Sequence, residues 1–181
     1  MEKTKDITLF LIEDPVSINY LLSLSKKYTN KTIISTKNYP HFKNIREKIK
    51  IISDIKEIQK HIIKDKINQT FLCSAESPNA ISKKILVFLK KNKIKSTLVI
   101  DSGDNIKKRI FFKKKILLAN KIIVPDYKTK KQYLQYGLKN ILVRNLLTQK
   151  YLIEKLKTLK KKKKLRKIVT FCEVTKIINV N

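Results

Sequence analysis

Short, mostly apolar runs recur along this chain: ITLFLI at 7–12, TFLCS at 70–74, STLVI at 96–100 and KIIV at 121–124. Longer stretches lie between them, with apolar residues on one helical face, such as Ile81, Ile85, Phe88 and Leu89. A strand with one wet face alternates apolar and polar side chains, whereas a strand apolar throughout is buried on both faces. Strand-then-helix repetition of this kind builds a parallel sheet covered on both sides. The predicted class is therefore α/β: a doubly wound, mostly parallel, Rossmann-like sheet with helices on both faces.

The pattern predicts strands at 7–12, 31–36, 50–53, 70–74, 96–100, 121–124, 141–143 and 167–172. It predicts helices at 16–28, from 54 through 67, and at 80–93, 105–118, 129–136 and 148–159, with a loop around Pro40. Gly137 suits the position just past a helix C-terminus. The expected organisation is one domain over 1–159, a Lys-rich linker at 160–167 and the start of a second domain at 168–181. The chain stops before a helix could cover that last strand, so the second domain is read as truncated. A polybasic tether to anionic lipid or nucleic acid is the other reading of 160–167.

With 181 residues and 42% hydrophobic content, the chain can bury a domain-sized core. Two glycines exclude the Walker loop, the dinucleotide fingerprint and the kinase Gly-rich loop. No cofactor is expected, and no metal-ligand spacing is present. The formal charge is +29, and all but four of the 43 basic residues are lysine. Lys, Ile and Asn are abundant while Gly, Ala and Pro are scarce, which AT-rich codons alone produce. Proteins that read phosphate by bidentate geometry favour Arg. The charge thus predicts non-specific polyanion binding at low salt, and a basic nucleic-acid-binding protein is the alternative function. Cys73 and Cys172 form no CxxC and lie in apolar runs, as buried thiols of a reducing compartment do. The N-terminal apolar stretch is too short for a signal peptide. No run of about 18 apolar residues would form a transmembrane segment. The expected location is cytoplasmic.

Ligands of open α/β sheets bind beyond the carboxyl ends of the strands. That rule selects Glu13 and Asp14 after the first strand, and Ser74 and Glu76 after the fourth. It selects Asp101, Asp104 and Asn105 after the fifth, Asp126 after the sixth, and Asn145 near the end of the seventh. In DSGDN, Gly103 is expected to fill a backbone position with positive φ, and Asp104 or Asn105 to cap the next helix, with Arg109 one turn further in. A capped helix with a local Asp–Arg pair explains the same residues without a ligand. Ser77-Pro78 reads as an N-cap followed by Pro at N1. His41 and His61 are isolated. No catalytic residue is assigned, because no nucleophile–base order or paired-carboxylate motif stands out.

Two resemblances arise. LFLIEDPVSINYLL resembles the start of a response-regulator receiver, but no Lys-Pro pair ends the fifth strand and the likeness stops there. The stretch from about 74 to 173 resembles the N-terminal half of GT-B glycosyltransferase-like proteins of polysaccharide biosynthesis. Asp101, Asn105 and Arg109 match one motif, Asn120–Asp126 a second, Asn145 a third, and IVTFCE at 168–173 the opening of the second domain. Ser102-Gly103 replaces bulkier residues, and Leu146 and Val174 stand where the family has proline. The resemblance implies acceptor contacts on this half and sugar-nucleotide binding on a C-terminal half. The partners it implies are a sugar acceptor and a separate C-terminal half, without which the chain is incomplete for catalysis.

Overall fold

The computed structural model describes residues 6–144. The chain begins with strand β1 (Ile7–Ile12), helix α1 (Pro15–Ser25) and strand β2 (Lys31–Ser35). A single 3₁₀ turn (Pro40–Asn44) leads to β3 (Ile49–Ile51), α2 (Ile55–Lys64) and β4 (Ile67–Cys73). Helix α3 (Ile81–Lys91) and strand β5 (Lys95–Val99) follow, then a five-residue α4 (Ile106–Ile110). A hairpin of β6 (Phe111–Phe112) and β7 (Lys115–Ile116) precedes β8 (Lys121–Val124), α5 (Tyr127–Gln135) and β9 (Ile141–Val143).

Seven strands form one sheet in the order β3-β2-β1-β4-β5-β8-β9, and every pairing is parallel. The order reverses between β1 and β4, which is the switch point of a Rossmann-like sheet. Alternate residues of β1 serve the two faces. Leu9 and Leu11 join a core with Ile58 and Ile62 of α2, Ile85 and Leu89 of α3, and Tyr133 of α5. On the other side Phe10 stacks on Phe71 at 5.0 Å between ring centroids, and Tyr28 meets both edge-on. Helix α1 packs on β1 and β4. The class predicted from the apolar runs is the class observed.

Several local expectations are corrected. The helix expected over 105–118 stops at Ile110, and residues 111–116 are an antiparallel hairpin. Its two-residue loop holds Lys113 and Lys114 at φ 47° and 63°, as a type I′ turn requires. Gly103 is not at positive φ; Asn105 takes the left-handed conformation instead, at φ 52°. Gly103 is small for another reason. A Cβ there would lie 2.8 Å from Thr129 Oγ1 and 3.0 Å from Gln132 Oε1. Neither Asp104 nor the Asn105 side chain caps α4. Ser77 and Pro78 belong to a turn before α3, whose N-cap is Ala80. Helix α2 ends at Lys64, so β4 begins at Ile67 rather than Thr70. The predicted helix at 148–159, linker at 160–167, strand at 167–172 and second domain at 168–181 lie outside the described residues, as does Cys172. Among the described residues, no helix is long and apolar enough to cross a membrane.

Candidate functional site

The carboxyl ends of β1, β4 and β5 carry most of the polar side chains singled out above, and Arg109 of α4 ties many of them together. Its side chain is 8% exposed. Nη1 donates to Asp101 Oδ1 at 2.5 Å, to Ser74 Oγ at 3.1 Å and to the Ser74 carbonyl at 3.3 Å. Nη2 donates to Glu76 Oε1 at 2.9 Å, and Nε to the Asp104 carbonyl at 2.9 Å. All three guanidinium nitrogens are engaged, which is what a buried arginine needs to offset its desolvation. Glu76 Oε2 accepts from Asn105 Nδ2 at 3.0 Å, so the left-handed residue is anchored to the same cluster. The Asp104 carboxylate accepts from Ser102 Oγ and faces outward. Ser74, Glu76, Asp101, Asp104, Asn105 and Arg109 are thus one connected network. The pairing is with Asp101, eight residues before Arg109, and with the backbone rather than the carboxylate of Asp104.

Glu13 and Asp14 sit beside this network, each on a helix N-terminus. Asp14 Oδ1 accepts from the Ser17 amide at 2.8 Å, and Ser17 Oγ returns a contact to the Asp14 amide at 3.3 Å, closing a capping box on α1. Glu13 reaches across the switch point. Its carboxylate accepts from the Ile81 amide at 2.6 Å and the Ser82 amide at 2.9 Å, at the start of α3. Burial raises the Asp14 carboxyl above its ordinary 3.8, and the nearby Asp101 and Glu13 charges push the same way, against the Ser17 hydrogen bond. Asp126 stands apart as the N-cap of α5, accepting from the Thr129 amide at 2.6 Å. Asn145 lies outside the described residues.

The sequence reading missed four side chains. Lys83, on α3, is 3% exposed and donates to the Lys108 carbonyl at 2.5 Å and the Glu76 carbonyl at 3.4 Å. Burial lowers its pKa, partly countered by Glu13. Tyr39 donates to the Glu13 carbonyl at 2.6 Å. Tyr20 is pushed up to about 12, by burial first and the Asp101 charge second. Tyr133 is fully buried, and its hydroxyl has no hydrogen-bond partner among the described residues. Cys73 is a buried free thiol, and burial raises its pKa above the ordinary value.

Chemically, this edge is built for hydrogen-bond acceptance rather than anion capture. In a Rossmann-like sheet the amides opening α1 are the natural seat for a phosphate. Here the α1 and α3 N-termini are each filled by a carboxylate of the chain itself. Arg109, the one buried arginine among the described residues, is paired with Asp101 and Glu76. Among the described residues no group of three or more His, Cys, Asp or Glu is arranged to hold a metal ion.

No protein-family model matches the chain, and no curated protein does. Among solved structures, the chain resembles UDP-N-acetylglucosamine 2-epimerase from Rickettsia bellii, with a TM-score of 0.62 at 12% identity. The match covers 89% of this chain and 49% of that one, so the chain spans about half the length of the protein it resembles. At that identity the likeness is one of fold: a GT-B-like, Rossmann-type α/β unit.

Proposed function

We propose that this chain is the acceptor-side half of a GT-B-like, sugar-nucleotide-related protein of surface polysaccharide biosynthesis, working in the cytoplasm with a separate donor-binding domain. The observation that carries this reading is the carboxylate-capped switch point. Glu13 and Asp14 occupy the helix N-termini where a nucleotide pyrophosphate would sit, and Asp101 adds a third acid beside them. Such an edge repels phosphate and accepts hydrogen bonds from hydroxyl groups, which suits a neutral sugar. The fold-level likeness to half of a sugar-nucleotide epimerase supports the same assignment by analogy. Asp14 and Asp101 are the residues assigned to hold acceptor hydroxyls. Arg109 positions Asp101 and does not touch the sugar.

The test is a backbone-amide NMR titration with neutral monosaccharides and, separately, with UDP. Neutral sugars should shift amides around residues 13–17 and 101–105, and UDP should leave them in place. Asp14→Asn keeps an N-cap acceptor and hence the fold, and should weaken the sugar response at least threefold. Shifts at this edge with UDP alone would overturn the reading.

A further inference from the structure

We infer that the groove between α3 and the β6–β7 hairpin is a binding site for single-stranded nucleic acid. This proposal does not rest on the acceptor reading, because it uses other residues, on α3, α4 and the hairpin, and an anionic ligand rather than a neutral one.

Two clefts, of about 750 Å³ and 390 Å³, lie along this groove and share Phe112 and Lys113. The larger has a partly apolar floor of Phe111 and Phe112, both half-buried. Above that floor stand Lys84, Lys107, Lys108 and Lys113. The single acid in either wall is Glu76, and its carboxylate is already held by Arg109 and Asn105. None of these four lysines forms an ion pair among the described residues. By contrast, Lys31 is paired with Glu47, and Lys50 with Asp65. Lys113 lies 5.7 Å from the Phe112 ring centre, so one cation and one aromatic face are presented together. Lys113 and Lys114 also sit at positive φ in the turn. Of the two, Lys113 lines both clefts.

A row of unpaired cations beside accessible aromatic rings is the chemistry that holds single strands: phosphates on the lysines, bases stacked on the rings. The shape decides between polyanions. Clefts of a few hundred Å³ take a ligand of drug-like size, which is one or two nucleotides per cleft and not a duplex. A membrane surface calls for a protruding apolar face rather than a concave one.

The chain has no tryptophan, so Phe112→Trp installs a sole reporter inside the groove, and Phe42→Trp a control in the 3₁₀ turn. The full chain would be titrated with fluorescent (dT)₁₂ at about 0.2 M salt, following both oligonucleotide anisotropy and tryptophan emission. The expected result is binding with quenching at position 112 and none at position 42. Against the wild type, Phe112→Leu should weaken binding at least fivefold, the smallest effect of losing one stacked base. Lys84→Gln with Lys107→Gln should lower the slope of log K against log salt by about 1.4, at 0.7 per contact. The exposed pair Lys56→Gln and Lys60→Gln on α2 removes equal charge and should change the slope by less than half as much. Circular dichroism verifies that each variant is folded. Binding without quenching at 112, equal effects of the two lysine pairs, equal affinity for dTMP, or binding to anionic phosphatidylserine vesicles but not to (dT)₁₂ would each overturn the proposal.

Discussion

The two ends of the parallel sheet are built from different materials. At the amino end, helices finish and strands begin, and the chain turns through left-handed residues. Lys66 follows α2 at φ 50°, Lys93 follows α3 at φ 56°, Gly137 follows α5 at φ 72°, and Asn140 precedes β9 at φ 56°. Glycine is the least strained residue for such positions, yet lysine or asparagine fills three of the four. At the carboxyl end, the turns are closed by particular side chains: Glu13 on α3, Asp14 on α1, Asp126 on α5, and Arg109 holding Ser74, Glu76 and Asp101. One end tolerates the lysine-rich composition of the chain. The other is held by groups that lysine cannot replace.

Four variants would sharpen or break this contrast. The largest effect is expected from Arg109→Met, which leaves the partly exposed Asp101 and Glu76 carboxylates without their shared cation and Ser74 without its donor. Unfolding by urea should show a loss of about 2–3 kcal/mol, below the figure for a fully buried pair because both carboxylates reach solvent; a loss under 1 kcal/mol would mean that the network does not hold the carboxyl end together. Glu13→Ala removes the acceptor for two amides at the start of α3, and should lower stability by about 1–2 kcal/mol in the same assay. The smallest effects belong to the amino end, and with opposite sign. Lys66→Gly and Lys93→Gly relieve left-handed strain of roughly 1–2 kcal/mol, offset in part by the greater freedom of glycine in the unfolded chain. Each should raise the urea midpoint by the equivalent of about 0.5–1 kcal/mol, and a fall in the midpoint at both would erase the distinction between the ends.

Much of the sheet was legible because strands buried on both faces write an unbroken apolar run, as 9–12 and 122–124 do. The hairpin was not. FFKKK contains no Asn-Gly or Asp-Gly, the usual sign of a type I′ turn, and its phenylalanines and lysines fit a helical pattern equally well. Composition hid the turn. Gly103 was misread because glycine signals either positive φ or close approach, and the close neighbours Thr129 and Gln132 come from a helix more than a turn of chain away. Rules about strand ends found Glu13, Asp14, Ser74, Glu76 and Asp101, and the helix after the fifth strand offered Arg109 a local Asp partner, yet nothing in the sequence linked one strand end to the next. Glu13 meets Ser82, 69 residues later, and no local pattern reports such a distance. Lys83 looked like one more surface lysine, and only its burial against the Lys108 carbonyl distinguishes it.

The strand order also has a consequence in time. A chain made from its N-terminus completes β1, β2 and β3 first, and these already pair with one another. The far side of β1 waits for β4, with Phe10 and Leu11 due to meet Phe71 and Leu72. Until β4 is synthesised, β1, whose Leu9, Phe10, Leu11 and Ile12 are all buried in the finished fold, presents an open edge, a template for pairing with any other extended chain. That interval on the ribosome, rather than any state of the finished fold, is when this protein is most exposed to misassembly.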